Sequence, residues 1–451
     1  MRSYNALVIA CVLAAPGLPV RRAAIVTVSV GADRTKQVIR GTLVTPDTVL
    51  VGEVVIDADT IACVAVNCTD PAGASVFTVT EGYIYPGFID AHNHVAYNVL
   101  PKWTPPKLYV NRGQWQRAKA YKDFKAPYND LKDHHHLFCE MVKWGEMKAL
   151  VSGITAVQGT SPAATCIRTL IRNVENQNEL GTPRSHVRTF ILDISSFDGT
   201  INWDVTKAFV VHIAEGLPTD SVSRREFQIL KQKGLLRAET AIIHGTALGD
   251  AEFTEMGAAG AKLIWSPQSN RVLYGQTTNI PLALRHGVSV SLGVDWNPSG
   301  SDDLFGELRV AAEFNENQFG NVIKDADWLK MITVNPAHAL ALDGYIGRLA
   351  PGLKADVTVL RARGDDPHRS LLANHPQDVE MVWVGGELLY GREAVLQKFK
   401  PDQCEALEVN GTKKRICVAD ATNPVTKSGE TLAQIQTILL SKYPQLSPLV
   451  R

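Results

Sequence analysis

Short apolar runs that end in a polar residue recur through the middle of the chain and alternate with amphipathic segments. Residues 241–244 follow the amphipathic segment 224–233, which ends at Gly234. Residues 288–295 likewise follow the amphipathic segment 281–286. Strands that alternate with helices in this way predict βα units and a parallel sheet.

The two ends of the chain have a different pattern, in which apolar and polar residues alternate over short runs broken by Gly, Pro and Asp. This pattern runs through residues 24–82 and returns after Asp356, as in residues 357–360 and 381–385. Such alternation is typical of strands and turns. It predicts that both ends together build one β-sandwich, interrupted by the βα region.

Four histidines and one aspartate each stand at the end of an apolar run, although about 200 residues separate the first from the last. They are His92, His94, His212, His244 and Asp295. Side chains repeat every second residue along a strand, so His92 and His94 point to the same side and can bind one ion. A lone histidine at a strand end is more often structural, but the recurrence favours a metal site.

The ordered set of motifs resembles the amidohydrolase superfamily, the metal-dependent (β/α)8-barrel hydrolases. The matching stretches are residues 86–94, 212–215, 243–245, 266–270, 292–295 and 346–356. The HxH strand alone would be weak evidence, whereas the ordered set is specific and covers residues 38–395. The resemblance implies an α/β fold with a (β/α)8 TIM-type barrel beside a discontinuous β-sandwich built from both chain ends.

The implied domains are a β-sandwich of residues 24–82 and 346–398, a hydrolase barrel of residues 83–345, and a C-terminal tail of residues 399–451. One amphipathic helix is expected in the tail, near residues 431–440. Seven barrel strands can be placed rather than eight, because between Thr155 and Val210 only residues 187–192 are typical of a strand.

The resemblance also implies the metal ligands. The HxH pair, the histidine of the fifth strand and the aspartate of the eighth strand correspond to His92, His94, His212 and Asp295. Bimetallic members add a carboxylated lysine at the end of the fourth strand, and residues 187–194 contain no lysine. A single divalent ion is therefore expected, with Zn2+ as the default and Fe2+ or Mn2+ as alternatives.

Catalytic roles follow from the same resemblance. Asp295 would take a proton from the metal-activated water, and Glu215 would be the general acid/base that carries a proton to the departing nitrogen. His244 would donate a hydrogen bond to the atom that gathers negative charge. The alternatives are a helix-capping carboxylate for Glu215 and a structural ring for His244.

Two further residues are candidates for contact with the substrate. Asn270, with Ser269, would hold a loop over the metal. Trp296, beside the metal aspartate, would form an apolar wall for a flat substrate, although a tryptophan there is as often plain packing.

The combination of His212-x-x-Glu215, a strand-six histidine and residues 266–270 most resembles the mononuclear branch of nucleobase deaminases, thiomethyladenosine-type deaminases and triazine hydrolases. The predicted function is metal-dependent hydrolysis of carbon–nitrogen bonds other than peptide bonds, in an amidine, amide or heterocycle. The alternatives are an exported cyclic-amide hydrolase, an imidazolonepropionase-like or prolidase-like amidase, and a barrel relative that has lost catalysis and only binds.

A long insertion, residues 95–136, departs from this branch and is rich in aromatic residues. It predicts either a lid with aromatic contacts to the substrate or a segment that only covers the barrel mouth. The run of residues 133–136, Asp-His-His-His, is interpreted as a solvated loop or helix start, because consecutive side chains diverge.

Charge and hydropathy exclude several classes of partner. The chain has 46 basic and 46 acidic residues and a formal net charge of zero, so no excess of basic residues favours nucleic acid or anionic lipid. No apolar run approaches the length of a membrane span. The expected partner is a small-molecule substrate, and the resemblance also allows a homo-oligomer.

The first residues are typical of a secretory signal. Arg2 precedes an apolar run, residues 6–15, that ends at Pro16. This pattern predicts a signal segment within residues 1–20, a cut after Ala14 or Ala15, and a periplasmic or secreted protein. The alternatives are a buried first strand and a cytoplasmic protein.

Cysteine usage is compatible with export. The chain has seven cysteines, and six remain beyond Cys11 of the predicted signal. An even number in an exported chain is compatible with disulfides. Cys63 with Cys68 and Cys404 with Cys417 would close short loops, although the spacing leaves other pairings open, including those of Cys139 and Cys166.

Overall fold

The structure is a computed structural model that describes residues 25–159, 170–175, 180–183, 185–419 and 429–450. The predicted signal segment and Cys166 lie outside these residues. The strands are β1 (Val26–Ser29), β2 (Asp33–Val44), β3 (Val49–Asp57), β4 (Thr60–Ala65), β5 (Ala74–Pro86), β6 (Phe88–Asp90), β7 (Ile154–Val157), β8 (Arg172–Asn173), β9 (Val187–Phe190), β10 (Ala208–Ile213), β11 (Thr240–His244), β12 (Lys262–Trp265), β13 (Val290–Leu292), β14 (Val357–Arg361), β15 (Val379–Val384), β16 (Glu387–Arg392), β17 (Glu405–Val409) and β18 (Thr412–Ile416). The α-helices are α1 (Arg112–Arg117), α2 (Lys119–Asn129), α3 (Phe138–Val151), α4 (Ser221–Gln232), α5 (Asp250–Ala259), α6 (Pro267–Tyr274), α7 (Ile280–Arg285), α8 (Leu304–Asn317), α9 (Asp325–Ile332), α10 (Val334–Ala339), α11 (Pro367–Ala373), α12 (Glu393–Phe399) and α13 (Leu432–Lys442).

Strands from both chain ends pair in one ten-stranded sheet. Its order is β17-β18-β16-β15-β14-β5-β2-β3-β4, with β1 paired to β5. The two ends meet where β14 pairs antiparallel with β5, with Val359 opposite Ile84. Strands β17 and β18 also belong to this sheet, although the sequence analysis placed their residues in a separate tail. The helix expected near residues 431–440 is present as α13. The chain ends thus share one sheet.

The middle of the chain forms two parallel sheets, as the alternating pattern predicted. One has the order β13-β12-β11-β10-β9 and the other β6-β7-β8. The two sheets adjoin at β13 and β6, where Asn93 and Asp295 form a parallel bridge and the Asp295 amide donates to the His92 carbonyl at 2.8 Å. Eight parallel strands are therefore present.

The eighth strand corrects the count of seven made from the sequence. The strand that was missed is β8, which consists of Arg172 and Asn173 alone and pairs with β7. Two residues are too few to show a periodicity, and both side chains are polar, so the hydrophobic pattern gave no signal there.

Two of the parallel strands that carry site residues, β10 and β11, are buried on both faces. All six residues of β10 and all five of β11 are buried. In β10, Ala208 and Val210 pack in a small apolar cluster between the strands, whereas Phe209 and Val211 pack in the larger core. His212 follows Val210 by two residues, so it shares the face of the small cluster.

A buried ion pair ties the parallel strands to the ten-stranded sheet. The guanidinium of Arg172, in β8, donates from Nε to Asp356 Oδ2 at 2.8 Å and from Nη2 to Asp356 Oδ1 at 2.9 Å. The Asp356 carboxylate also accepts from the Gly385 amide at 2.7 Å. Both charged side chains are 2% exposed, so each neutralises a charge that water does not reach.

We expect Arg172→Met to lower the free energy of unfolding by about 3–5 kcal/mol, because it leaves the Asp356 carboxylate buried without a counter-charge. Urea unfolding followed by circular dichroism measures the change. Arg225→Met, an exposed position in α4, is the matched control and should have almost no effect. Adding Asp356→Asn to Arg172→Met should recover part of the loss, and a loss of less than about 1 kcal/mol for the single variant would contradict this role.

Candidate metal centre

The four predicted metal ligands converge at the carboxyl ends of three parallel strands. His92 and His94 follow β6, His212 lies in β10, and Asp295 follows β13. Asp295 Oδ1 is 3.3 Å from His92 Nε2 and 3.5 Å from His94 Nε2. The ring centroids of His92 and His212 are 4.8 Å apart. Residues up to 203 positions apart, 295 minus 92, therefore meet around His92.

These separations fit a divalent cation. Ligand atoms at about 2.1 Å from a tetrahedral ion lie about 3.4 Å from one another, close to the two distances measured to Asp295. His92 Nε2 and His212 Nδ1 are buried and have no hydrogen-bond partner among the described residues. Burial lowers the pKa of His94 to about 4 and also lowers that of His212, so both rings are neutral at pH 7 and can donate lone pairs.

Asp295 holds its position through a strained backbone. Its φ is 69°, in the left-handed region that residues other than glycine rarely adopt. The strain is offset by pairing with the HxH segment, because the Asp295 carbonyl also accepts from the His94 amide at 2.5 Å. Asp90 adds a link between the same strands, since its carboxylate accepts from the Asn93 side chain at 2.7 Å and from the Val294 amide at 3.0 Å.

Gln158 orients the His92 ring and was not found from the sequence. His92 Nδ1 lies 3.2 Å from Gln158 Oε1. Gln158 Nε2 in turn donates to Glu175 Oε1 and to Thr189 Oγ1, both at 2.9 Å, which fixes the amide so that its oxygen faces the ring. His92 Nδ1 then carries the proton and Nε2 keeps the lone pair that a metal needs. Gln158 directly follows the apolar run of β7, the same signal that identified the histidines.

Glu215 lies in a dry site beside the ligands. The hydroxyl of Tyr274, from α6, donates to Glu215 Oε1 at 2.7 Å. Glu215 Oε2 is 3.8 Å from Arg112 Nε and 3.8 Å from His244 Nε2. Burial raises the pKa of Glu215 to about 7, although the Arg112 charge and the Tyr274 hydrogen bond oppose the rise. A carboxyl with this pKa can both accept and release a proton near neutral pH.

Asn270 anchors His244. Asn270 Oδ1 lies 3.0 Å from His244 Nδ1, and Asn270 Nδ2 donates to Thr277 Oγ1 at 3.3 Å and to Thr278 Oγ1 at 3.4 Å. This arrangement places the proton of a neutral ring on Nδ1 and a lone pair on Nε2, toward Glu215. Burial lowers the pKa of His244 to about 4, so Nε2 becomes a donor only when the ring takes up a proton.

Trp296 is enclosed by other aromatic rings. The aromatic cluster that surrounds it is drawn mainly from the insertion and consists of Trp103, Tyr109, Trp115, Tyr121, Leu273, Tyr274 and Trp296. Trp115 packs 5.9 Å from Trp296 and donates from Nε1 to the Tyr274 hydroxyl at 2.9 Å. The first half of the insertion therefore covers the Glu215 side of the site.

An open cavity of about 930 Å3 leads to the other side of the site and reaches His92 and His94. Its walls come from both ends of the insertion, from the start of α3 and from the carboxyl ends of β7, β8 and β9. Neither Trp296 nor Asn270 lines this cavity. Of the three insertion histidines, His134 is solvated, as predicted, with an exposed ring that contacts Asp130 at 2.8 Å.

Both proposed disulfides are present. Cys63 pairs with Cys68, and Cys404 pairs with Cys417. Cys139 is disulfide-bonded as well. Among the described residues, no helix combines the length and apolar character that a membrane span needs.

Comparisons of sequence confirm the predicted resemblance. Residues 198–389 match the model of the amidohydrolase family. The chain is 24% identical over 421 residues to the 5-methylthioadenosine/S-adenosylhomocysteine deaminase of Pyrococcus furiosus, covering 78% of this chain and 96% of that protein. It is also 24% identical over 419 residues to the deaminase of the same name from Halobacterium salinarum, covering 80% and 94%.

Solved structures share the fold. The triazine hydrolase of Arthrobacter aurescens superposes with a TM-score of 0.62 at 18% identity, covering 79% of this chain and 94% of that one. An adenosine deaminase from Xanthomonas campestris with bound zinc gives 0.58 at 17% identity, covering 78% and 92%. The guanine deaminase of E. coli gives 0.60 at 17% identity, covering 79% and 100%.

We expect Gln158→Ala to weaken zinc binding by about 10- to 100-fold, because the His92 ring loses the partner that fixes its tautomer. Competition with a chromogenic chelator measures the affinity. Gln232→Ala, an exposed position at the end of α4, is the matched control. Unchanged affinity in Gln158→Ala would mean that the glutamine only packs against the ring.

Proposed function

We propose that this chain, whose residues 198–389 match the amidohydrolase family, is a metal-dependent hydrolase of carbon–nitrogen bonds, of the deaminase type. One observation supports the proposal: the ligand atom of His92 lies within 4.8 Å of those of His94 and Asp295, and also within 4.8 Å of those of His212 and His244, with the buried Glu215 carboxyl nearby. The deaminase names of the relatives from Pyrococcus furiosus and Halobacterium salinarum support the reaction class. The substrate would be a small molecule that carries an amidine, an amide or an aminated heterocycle.

His92, His94, His212 and Asp295 would hold a single divalent ion. The ion would supply Lewis acidity, which lowers the pKa of water toward neutral and yields hydroxide. The zinc in the deaminase from Xanthomonas campestris favours Zn2+, and the same ligands also suit Fe2+ or Mn2+. Residues 187–190 of β9 contain no lysine that could bridge a second ion.

Glu215 is the proposed general acid/base. Its pKa of about 7 lets it take a proton from the attacking water and pass it to the departing nitrogen. Asp295, whose Oδ1 faces both His92 and His94, would take a proton from the metal-activated water. His244, once protonated at Nε2, donates to the atom that gathers negative charge, while Asn270 keeps the ring in place.

We expect Glu215→Gln to retain the metal and to lose turnover by about 100-fold or more, the scale of general acid/base catalysis. Ammonia release from a panel of aminated heterocycles and amides measures turnover, and elemental analysis measures the metal. Glu316→Gln, an exposed position in α8, should behave as the wild type. Near-normal turnover in Glu215→Gln on the true substrate would disprove the role of Glu215.

Two other candidate functions differ from this one in their products or in their metal content. An exported cyclic-amide hydrolase, or an amidase of the imidazolonepropionase or prolidase type, would form a carboxylate without releasing ammonia. A relative that only binds would lack the metal, so purified protein would hold substantially less than one transition-metal ion per chain. Two groups of candidate ligands that share His92, one with His94 and Asp295 and one with His212 and His244, favour catalysis over this last alternative.

We infer that the eight parallel strands close a (β/α)8 barrel of residues 83–345, flanked by a β-sandwich of residues 24–82 and 346–398. The bridge between Asn93 and Asp295 supports closure on one side. On the other side, the Gln158 amide connects Glu175, after β8, with Thr189 of β9. A homo-oligomer is compatible with this fold.

We propose that the protein is exported to the periplasm or the medium, because disulfides persist in oxidising compartments. Cys63–Cys68 and Cys404–Cys417 support this location. We expect the mature protein to begin after Ala14 or Ala15 and to be recovered outside the cytoplasm, which intact-mass analysis of fractionated cells would test. Recovery only from the cytoplasm, with residues 1–15 retained, would contradict export.

A further inference from the structure

We propose that the substrate carries an anionic group at the end remote from the bond that is cleaved, and that Lys125 and Lys132 bind this group at the mouth of the open cavity. The inference rests on the proposed function, because it concerns the substrate of the same site. It narrows the substrate to a class that has three parts: a cleavable carbon–nitrogen head, an apolar body and a terminal anion.

The two lysines lie on one face of the insertion. Tyr121, Lys125 and Tyr128 follow one another in α2 at spacings of four and three residues, and Lys132 follows after four more, in the helical turn of residues 130–134. Residues at these spacings share one side of a helix. The ring of Tyr128 is stacked 3.7 Å from that of Tyr97, next to the HxH segment, so this face turns toward the metal centre.

Both lysines line the same cavity as two of the predicted metal ligands. Lys125 and Lys132 line the same space of about 930 Å3 as His92 and His94. A substrate whose head is bound at the histidines extends through this cavity toward the lysines. The other half of the barrel mouth is filled by the aromatic cluster, which directs the substrate into the open half.

The charges in the cavity leave one cation without a partner. Lys132 Nζ lies 3.7 Å from Asp133 Oδ1, so that lysine is partly neutralised. Among the described residues, Lys125 has no carboxylate at ion-pair distance, and its Nζ lies 6.0 Å from the Tyr121 ring. Glu175, the other acidic residue of the wall, is occupied by Gln158 and by the Gly159 amide.

Partial burial makes this unpaired cation unfavourable when the cavity holds only water. Burial lowers the pKa of Lys125 and the nearby Lys132 charge lowers it further, while the Asp133 carboxylate opposes the shift without reversing it. A lysine that is desolvated and repelled by a second lysine is stabilised by an incoming anion. Carboxylate and phosphate are the anionic groups that an ammonium group binds through charge-assisted hydrogen bonds.

An apolar wall of the cavity indicates the character of the middle segment of the substrate. Phe190, Ile191 and Leu192 line it at the carboxyl end of β9. Ile191 is 55% exposed and Leu192 is 61% exposed, although both are large and apolar. Apolar side chains that line a binding cavity gain free energy when a ligand covers them. The segment between the head and the anion is therefore apolar.

The test uses hydroxamates, which bind a catalytic metal without being the substrate. One series carries a hydroxamate at one end and a carboxylate at the other, across an alkyl chain of four to ten carbons, and the matched series ends in a methyl group. Calorimetry on the zinc-loaded full chain measures both affinities. For at least one chain length, we expect the carboxylate to bind about tenfold tighter, and the preference to fall at about 0.5 M salt.

The variants are Lys125→Gln, Lys132→Gln and the double substitution. We expect the double variant to lose the carboxylate preference while its affinity for the methyl-terminated compounds stays unchanged. Lys119→Gln is the matched control, because this lysine of the same helix is 87% exposed, pairs with Asp123 and does not line the cavity. It should keep the full preference.

Two results would overturn the inference alone: equal binding of both series at every chain length, or a carboxylate preference that survives in the double variant. In either case the methyl-terminated hydroxamates still bind, so the proposed metal-dependent function stands. If neither series binds the zinc-loaded protein, the proposed function and this inference both fail. A thermal unfolding curve of each variant verifies that the exchanged lysines do not disturb the fold.

Discussion

The close approach of β13 to β6 is the constraint on which the site depends. This contact places a carboxylate oxygen of Asp295 within 3.5 Å of two imidazole nitrogens, and no covalent link or neighbouring sequence enforces it. Backbone hydrogen bonds that join Asp295 to His92 and His94 fix the distance between the two strands. The same backbone hydrogen bonds stabilise the strained φ of Asp295. The pairing between the strands therefore also sets the positions of the candidate metal ligands.

Polar side chains around the candidate ligands orient the histidine rings. Gln158 and Asn270 each accept from one histidine nitrogen, which leaves the other nitrogen of His92 and His244 facing the centre. Burial lowers the pKa of His94 and of His244 to about 4 and raises the pKa of Glu215 to about 7. Because Gln158, Asn270 and Glu215 are buried, each of them needs a protein partner, and these hydrogen bonds hold the side chains in place.

The insertion divides the space above the carboxyl ends of the parallel strands into two halves with different properties. Its first half packs aromatic rings and Arg112 over Glu215, so that side is dry. Its second half leaves an open cavity whose walls combine two lysines with exposed aliphatic side chains. In the proposed function, proton transfer would take place in the enclosed half and substrate selection in the open half, although a single segment of chain builds both.

The sequence by itself predicted the alternating strands and helices and the polar residues at the strand ends, because hydrophobic periodicity and the ends of apolar runs are local signals that need no knowledge of neighbours in space. The ligand assignment came from the family resemblance, and the cysteine spacing that suggested the two disulfides left other pairings open. The sequence analysis missed β8, whose two polar residues show no periodicity, and the role of Gln158, which stands at a strand end like the histidines but is not a common ligand type. Only the tertiary structure decided that Trp296 is enclosed and that Asn270 serves His244, since both outcomes depend on which chain segment packs against them. The division of the insertion into a cover and a cavity wall has the same cause: long-range packing, rather than local pattern, sets which face of α2 meets the site.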